Sequence, residues 1–138
     1  MAPLGPVYQA GTLSGNPIAV SAALAMLEHL DAALYVRLES LSARLEEGLA
    51  RAIAKHGGAA CVQRVGSMLT LFFTPGPVRS WSEAKESDTK AFARWHGRML
   101  ERGFYWPPAQ FEAAFVSGAH SESDIDATIA AADAALGP

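Results

Sequence analysis

Gly11-Thr12-Leu13-Ser14-Gly15-Asn16-Pro17 runs directly into an Ala-rich apolar stretch, and its residue types suit the binding of an oxyanion such as phosphate. Asn16 is a good helix N-cap, Pro17 fits the first helical position, and the glycines let the preceding backbone turn sharply. Unpaired N–H groups and the positive end of the helix dipole would face an anion held by the loop, with the Thr12 and Ser14 hydroxyls as further donors. The same residues also serve an ordinary helix start that binds nothing. A second candidate is Glu112, set between Phe111 and the apolar run Ala113-Ala114-Phe115-Val116. A carboxylate at a buried sheet edge needs a partner or a task, whereas a glutamate on the solvent side of an edge strand needs neither.

Other reactive side chains form no such pattern. His29, His56, His96 and His120 lack the mutual spacing of a metal site and read as structural or solvated, so no metal is expected. Cys61, at a strand start, reads as a small core residue rather than a nucleophile. There is no Gly-x-Ser-x-Gly elbow and no Walker-type Gly-Lys-Ser/Thr. Phe104, Tyr105, Trp106 and Phe111 are most simply packing residues.

The elements that must position the two candidates follow from periodicity. A first helix is expected from Pro17 to His29, apolar nearly all round and therefore suited to burial. Asp31 caps a second, in which Leu34, Leu38, Leu41, Leu45, Leu49 and Ile53 form one stripe, and Gly57-Gly58 ends it. Cys61–Val65 and Met68–Thr74 read as strands of a hairpin turning at Gly66-Ser67, and Pro75-Gly76-Pro77 stops the second. A polar connection from Val78 to Ser87 precedes a helix begun by Asp88, with Phe92, Trp95, Met99 and Leu100 inward and Gly103 at its end. Phe104–Trp106 reads as a short strand and Phe111–Ser117 as an extended segment. Ser121-Glu122-Ser123-Asp124 caps a last helix through Ile125, Ile129, Ala132 and Leu136. This order fits an α+β fold, a small antiparallel sheet with helices packed on one face.

Composition sets the class. The chain has 138 residues, 50% of them hydrophobic and 18% charged, which suits a globular unit able to bury a core. A net charge of -3 without a Lys/Arg cluster argues against nucleic acid. One cysteine allows no internal disulfide, which makes the cytoplasm the default compartment. No apolar run approaches the roughly 18–20 residues of a membrane span. The best motif lies only a few residues from Met1, with no strand or helix before it, so the chain reads as a piece of something longer. A short ordered arm at a true terminus is the alternative.

Gly5-Pro6-Val7-Tyr8-Gln9-Ala10-Gly11-Thr12-Leu13-Ser14-Gly15-Asn16-Pro17, Gly66-Ser67-Met68-Leu69-Thr70-Leu71-Phe72-Phe73, Ser87-Asp88-Thr89, Gln110-Phe111-Glu112-Ala113 and Ala119-His120 with Asp124-Ile125-Asp126 occur in this order. Together they resemble the C-terminal third of the glutamate-1-semialdehyde 2,1-aminomutase family, within the class III aminotransferase group. The resemblance spans nearly the whole chain. It implies a homodimeric fold-type I enzyme that uses pyridoxal or pyridoxamine 5'-phosphate to convert glutamate 1-semialdehyde to 5-aminolevulinate, the tetrapyrrole precursor. Residues 1–30 would then be the cofactor-phosphate turn and connecting helix, and residues 31–138 the C-terminal small domain.

By the same resemblance, Gly11 and Thr12 reach the cofactor phosphate of the neighbouring subunit. Glu112 lies on the substrate side, where a carboxylate attracts an amino group and disfavours an α-carboxylate. Related aminotransferases tend to carry a carboxylate-clamping arginine in this region, and Pro107 to Val116 has none. The Schiff-base lysine belongs to the family's large domain, and Lys55, Lys85 and Lys90 do not match its motif. The chain alone is therefore expected to be inactive and to need that large domain as a partner. The small domain of an ω-amino-acid aminotransferase and a non-catalytic interaction module are the alternative readings.

Overall fold

Asn16 starts the first helix as its residue type predicts: its side-chain oxygen accepts the Ile18 and Ala19 N–H groups, both at 3.1 Å. In the computed structural model, which describes residues 2–137, this helix, α1, covers Pro17–Leu27. The chain divides into a short unit ending at Leu34 and a larger one beginning at Tyr35. None of the α1 residues is buried, and Ile18, Leu24, Met26 and Leu27 are exposed. The burial expected from its all-round apolar surface is thus not found, because the short unit supplies no second layer for it to pack on.

The larger unit carries the core. Helix α2, Ala32–Lys55, buries Leu41, Leu45, Leu49 and Ile53 from the predicted stripe, with Ser42, Gly48 and Ala52 beside them. Asp31 caps it by accepting the Leu34 N–H at 2.7 Å. Gly48 lies where α2 meets the last helix: a Cβ there would overlap the Ile129 side chain. Strands β1, Cys61–Val65, and β2, Met68–Phe72, form the predicted hairpin, with Val65 opposite Met68. Gly66 takes φ +56° at the first turn position, the left-handed conformation such two-residue turns need. Leu69 and Leu71 point into the core while Met68, Thr70 and Phe72 face the other way, so the helices cover the Leu69 and Leu71 face.

Between β2 and the next long helix, Val78–Ser87 is more ordered than a polar connection. Ser80 caps a one-turn helix, α3, Trp81–Ala84, and Ala84 and Ser87 are buried. Helix α4, Thr89–Glu101, starts at Asp88, whose carboxylate accepts the Lys90 and Ala91 N–H groups at 2.9 Å. It buries Phe92, Trp95 and Met99, but Leu100 is exposed. At 100° per residue, Leu100 is rotated past the edge of the face that the other three share.

Phe104–Trp106 forms no strand. Its backbone is spent on α4 instead: Phe104 N–H donates to the Met99 carbonyl at 3.0 Å, and His96 Nε2 lies 2.9 Å from the Trp106 carbonyl. The extended segment predicted over Phe111–Ser117 shrinks to β3, Ala114–Phe115, which pairs antiparallel with β2 and completes a sheet of order β1-β2-β3. Helix α5, Glu122–Leu136, opens on the predicted capping box of Ser121 and Asp124 and buries Ile125, Ala131, Ala132 and Ala135. The fold is therefore α+β, as expected.

Ion pairs fasten the rim. Arg44 of α2 reaches Asp126 of α5 through two bonds of 2.7 and 2.6 Å. Arg64 lies opposite Leu69 on the core face of β1 and turns outward to Glu39 and Glu46 of α2 at 2.8 Å. Lys55 and His56, at the end of α2, share Asp133 of α5. The Lys55 hydrogen bond, and after it the His56 one, hold the Asp133 carboxyl below the ordinary range.

Candidate functional site

The turn at Gly11–Asn16 is built from short-range bonds. Ser14 N–H donates to the Gly11 carbonyl and Asn16 N–H to the Leu13 carbonyl, both at 3.0 Å. Gly15 sits at φ +73°, and a Cβ on Gly11 would overlap the Ser14 hydroxyl oxygen. Position 15 therefore favours glycine for its conformation, whereas at Gly11 the overlap is only with the rotatable Ser14 hydroxyl.

The donors offered to an anion differ from those the sequence suggested. Asn16 already takes the Ile18 and Ala19 N–H groups, and Pro17 has none, so the first turn of α1 has no free donor among them. What remains is the turn itself. Among the described residues, the Thr12 and Leu13 amides donate to no protein acceptor, and the exposed Thr12 hydroxyl lies beside them. The donors free to meet an anion such as phosphate are thus those of Thr12 and Leu13, in the turn and not at the helix end.

Glu112 is exposed, in the larger unit. Its carboxylate accepts the Ala109 N–H at 3.2 Å, while its own N–H donates to the Ala109 carbonyl at 3.1 Å. The Glu112 carbonyl accepts the Thr70 hydroxyl at 3.3 Å. Its neighbour Phe111 packs edge-on against Trp81, with ring centroids 5.0 Å apart. Of the two readings open for this glutamate, the solvent-facing one is observed. Its carboxylate is nevertheless tied into a local ring that fixes where it sits.

Gln110 opens the Gln110-Phe111-Glu112-Ala113 block, but the sequence assigns it no role. It is buried, and its amide donates to the Leu71 carbonyl at 2.7 Å and accepts the Phe73 N–H at 3.2 Å. Gln63 uses its amide in the same way on the opposite edge, bonding both the N–H and the carbonyl of Val78 at 2.6 and 3.0 Å. No spacing or periodicity marks either residue as functional. A glutamine inside an otherwise apolar or β-rich run is the one available hint, since a buried amide must find partners.

The remaining candidates are placed as follows. His56 and His96 have the structural partners given above, and His120 Nδ1 accepts the Ser117 N–H at 2.9 Å. Cys61 is half-buried, and burial pushes its thiol pKa up, which favours the unreactive protonated form. A groove of about 500 Å³ runs between Phe104–Pro107, Ala113–Val116 and the start of α5. It includes none of Gly11, Thr12 and Glu112. Among the described residues, no single helix is long and apolar enough to cross a membrane.

No family model matches the chain. Curated relatives do. The chain is 68% identical over 136 residues to a glutamate-1-semialdehyde 2,1-aminomutase of Sorangium cellulosum, covering 99% of this chain and 31% of that protein. It is 54% identical over 138 residues to a Thermus thermophilus protein of the same name, covering 99% of this chain and 32% of the relative. The chain thus spans about a third of the length of these curated relatives, and what it matches is a C-terminal portion of them. Among solved structures, it superposes with TM-score 0.81 and 21% identity on a glutamate-1-semialdehyde-aminomutase from Pseudomonas aeruginosa PAO1 in complex with PMP, over 99% of this chain and 31% of that one. An omega-transaminase from Sphaerobacter thermophilus gives TM-score 0.77 at 25% identity, over 99% and 32%. The small α+β architecture is therefore that of the matching region in these enzymes.

Proposed function

We propose that this chain is the C-terminal part of a glutamate-1-semialdehyde 2,1-aminomutase, with residues 1–30 as the cofactor-phosphate turn and connecting helix and residues 31–138 as the small domain. The observation that carries this reading is the 68% identity along nearly the whole chain to a protein of that name. In the reading, a large domain of the same protein completes the site, two subunits pair, and the enzyme works in the cytoplasm on glutamate 1-semialdehyde, forming 5-aminolevulinate.

When bound, pyridoxal or pyridoxamine 5'-phosphate supplies the amino-group exchange and the electron sink that moves nitrogen between neighbouring carbons. The residues of this chain bind and select. Gly11 allows close approach of the backbone, and the Thr12 hydroxyl and amide donate to the phosphate of the neighbouring subunit's cofactor. Glu112 presents a carboxylate on the substrate side. Glutamate 1-semialdehyde carries an aldehyde where glutamate carries its α-carboxylate, so a negative charge here repels the ordinary amino acid and tolerates the true substrate. No arginine lies between Pro107 and Val116 to clamp that carboxylate.

A second reading, the same region of an ω-amino-acid aminotransferase, draws on the superposition with the Sphaerobacter thermophilus enzyme. The absence of an arginine beside Glu112 disfavours it. Sequencing the gene upstream of Met1 tests the proposal. A reading frame that continues through a large domain with a cofactor-bearing lysine is the expected result, and a stop codon immediately before Met1 would overturn it. In the assembled enzyme, Thr12→Val is expected to weaken cofactor retention about tenfold, the loss of one charge-assisted hydrogen bond, as measured by equilibrium dialysis of the phosphate cofactor.

A further inference from the structure

The pairing of β2 with β3 stops earlier than its register requires. Leu69 lies opposite Ala114, and Val116 N–H donates to the Ser67 carbonyl at 2.9 Å. Continued two residues further in the same register, the ladder would set Leu71 opposite Glu112 as a hydrogen-bonded pair. Residues opposite each other share a face of the sheet, and Leu71 points into the core. A regular β3 would therefore drive the Glu112 side chain into the apolar interior.

The Gln110 amide stands in the way. The Leu71 carbonyl, which would accept the Glu112 N–H, accepts Gln110 Nε2 instead, and the Phe73 N–H two residues on is taken by Gln110 Oε1. The Glu112 N–H, displaced from the ladder, turns back to Ala109, and the Glu112 carboxylate closes the ring by accepting the Ala109 N–H. Trp81 against Phe111 holds the displaced segment from outside.

We infer that Gln110 is a positioning residue for Glu112: by occupying the ladder groups of β2 with its side chain, it holds Glu112 out of the sheet and aims its carboxylate at solvent. As a role in substrate selection, this rests on the assignment of Glu112 to the substrate side. Gln110→Leu frees the Leu71 and Phe73 groups, and the edge then either zips up or loosens. In both cases the Glu112 carboxylate leaves Ala109.

Two measurements test this. In the 138-residue chain, Glu112→Gln should shift the Ala109 amide resonance, and in a Gln110→Leu background the same substitution should no longer do so. Retention of the full shift in that background would overturn the inference. If Gln110→Leu does not fold, Gln110→Asn, whose shorter side chain cannot keep both the Leu71 and the Phe73 bonds, should reduce the shift; no reduction overturns it. In the complete enzyme, Gln110→Leu should lower kcat/KM about tenfold. The double variant Gln110→Leu/Glu112→Gln should be no worse than Glu112→Gln alone, whereas a merely structural glutamine would give additive losses. If Glu112→Gln leaves kcat/KM unchanged, the substrate-side assignment fails, and the resonance experiment still decides the positioning of Glu112 by itself.

Discussion

The turn at Gly11–Asn16 and the turn at Ala109–Glu112 are held by opposite means. In the first, the hydrogen bonds join residues three apart or closer, from Ser14 to Gly11, from Asn16 to Leu13 and from Ile18 and Ala19 to Asn16. In the second, the shape depends on Thr70, Leu71, Phe73 and Trp81, all remote in sequence. The first turn is thus specified by its own residues, and the second by the sheet beside it together with the short ring between Ala109 and Glu112. A locally specified turn suits a fixed anion cradle. A turn held by a sheet edge can place a single carboxylate where no helix or strand would leave it.

Substitutions can sharpen this contrast. The largest expected effect is Leu49→Ala, which removes a fully buried side chain from the middle of the α2 stripe and should cost about 3 kcal/mol. Urea unfolding followed by tryptophan fluorescence reports it, since Trp81, Trp95 and Trp106 all lie in the larger unit. Gly48→Ala should cost about 2 kcal/mol by overpacking against Ile129, and the further change of Ile129 to Val should recover part of that loss. Asn16→Ala should cost about 1 kcal/mol at the start of α1, visible as faster amide exchange at Ile18 and Ala19.

The smallest effect is a dependence on pH. Lys55 and His56 hold the folded-state pKa of Asp133 below its ordinary value. Their stabilisation is therefore present above the usual carboxylate range and is lost as pH falls below about 4. Asp133→Asn should flatten the stability profile in that window. An unchanged acid slope would mean that the cluster adds nothing, as is common for exposed pairs.

How much of this was legible in the sequence follows the same division. Asn16, Asp31, Asp88 and Ser121 all cap the helices that their residue types announce, because capping is a contact between near neighbours. The α2 stripe and the hairpin at Gly66 were legible for the same reason. Phe104–Trp106 has the composition of a strand, but α4 claims its backbone, an interaction that no local pattern encodes. The one-turn α3 is too short to show a period. At the site, Gly11, Thr12 and Glu112 stood out by motif. Gln110 lay in the same motif block as Glu112 and Gln63 in none, but the role of either amide was not legible, because an amide that substitutes for a peptide group in a ladder is defined by the strand it faces. The capture of the first-turn N–H groups by Asn16 was likewise implicit in the cap itself, and it leaves the free donors in the turn before the helix and not at its end.

Whether this chain forms part of an aminomutase or of a transaminase is decided by assaying the protein joined to its large domain for 5-aminolevulinate formed from glutamate 1-semialdehyde, with and without an added amino acceptor. Product formed without an acceptor, and lost when only the 138-residue chain is supplied, is the predicted result. Turnover that requires a separate amino acceptor, or product made by the chain alone, would contradict it.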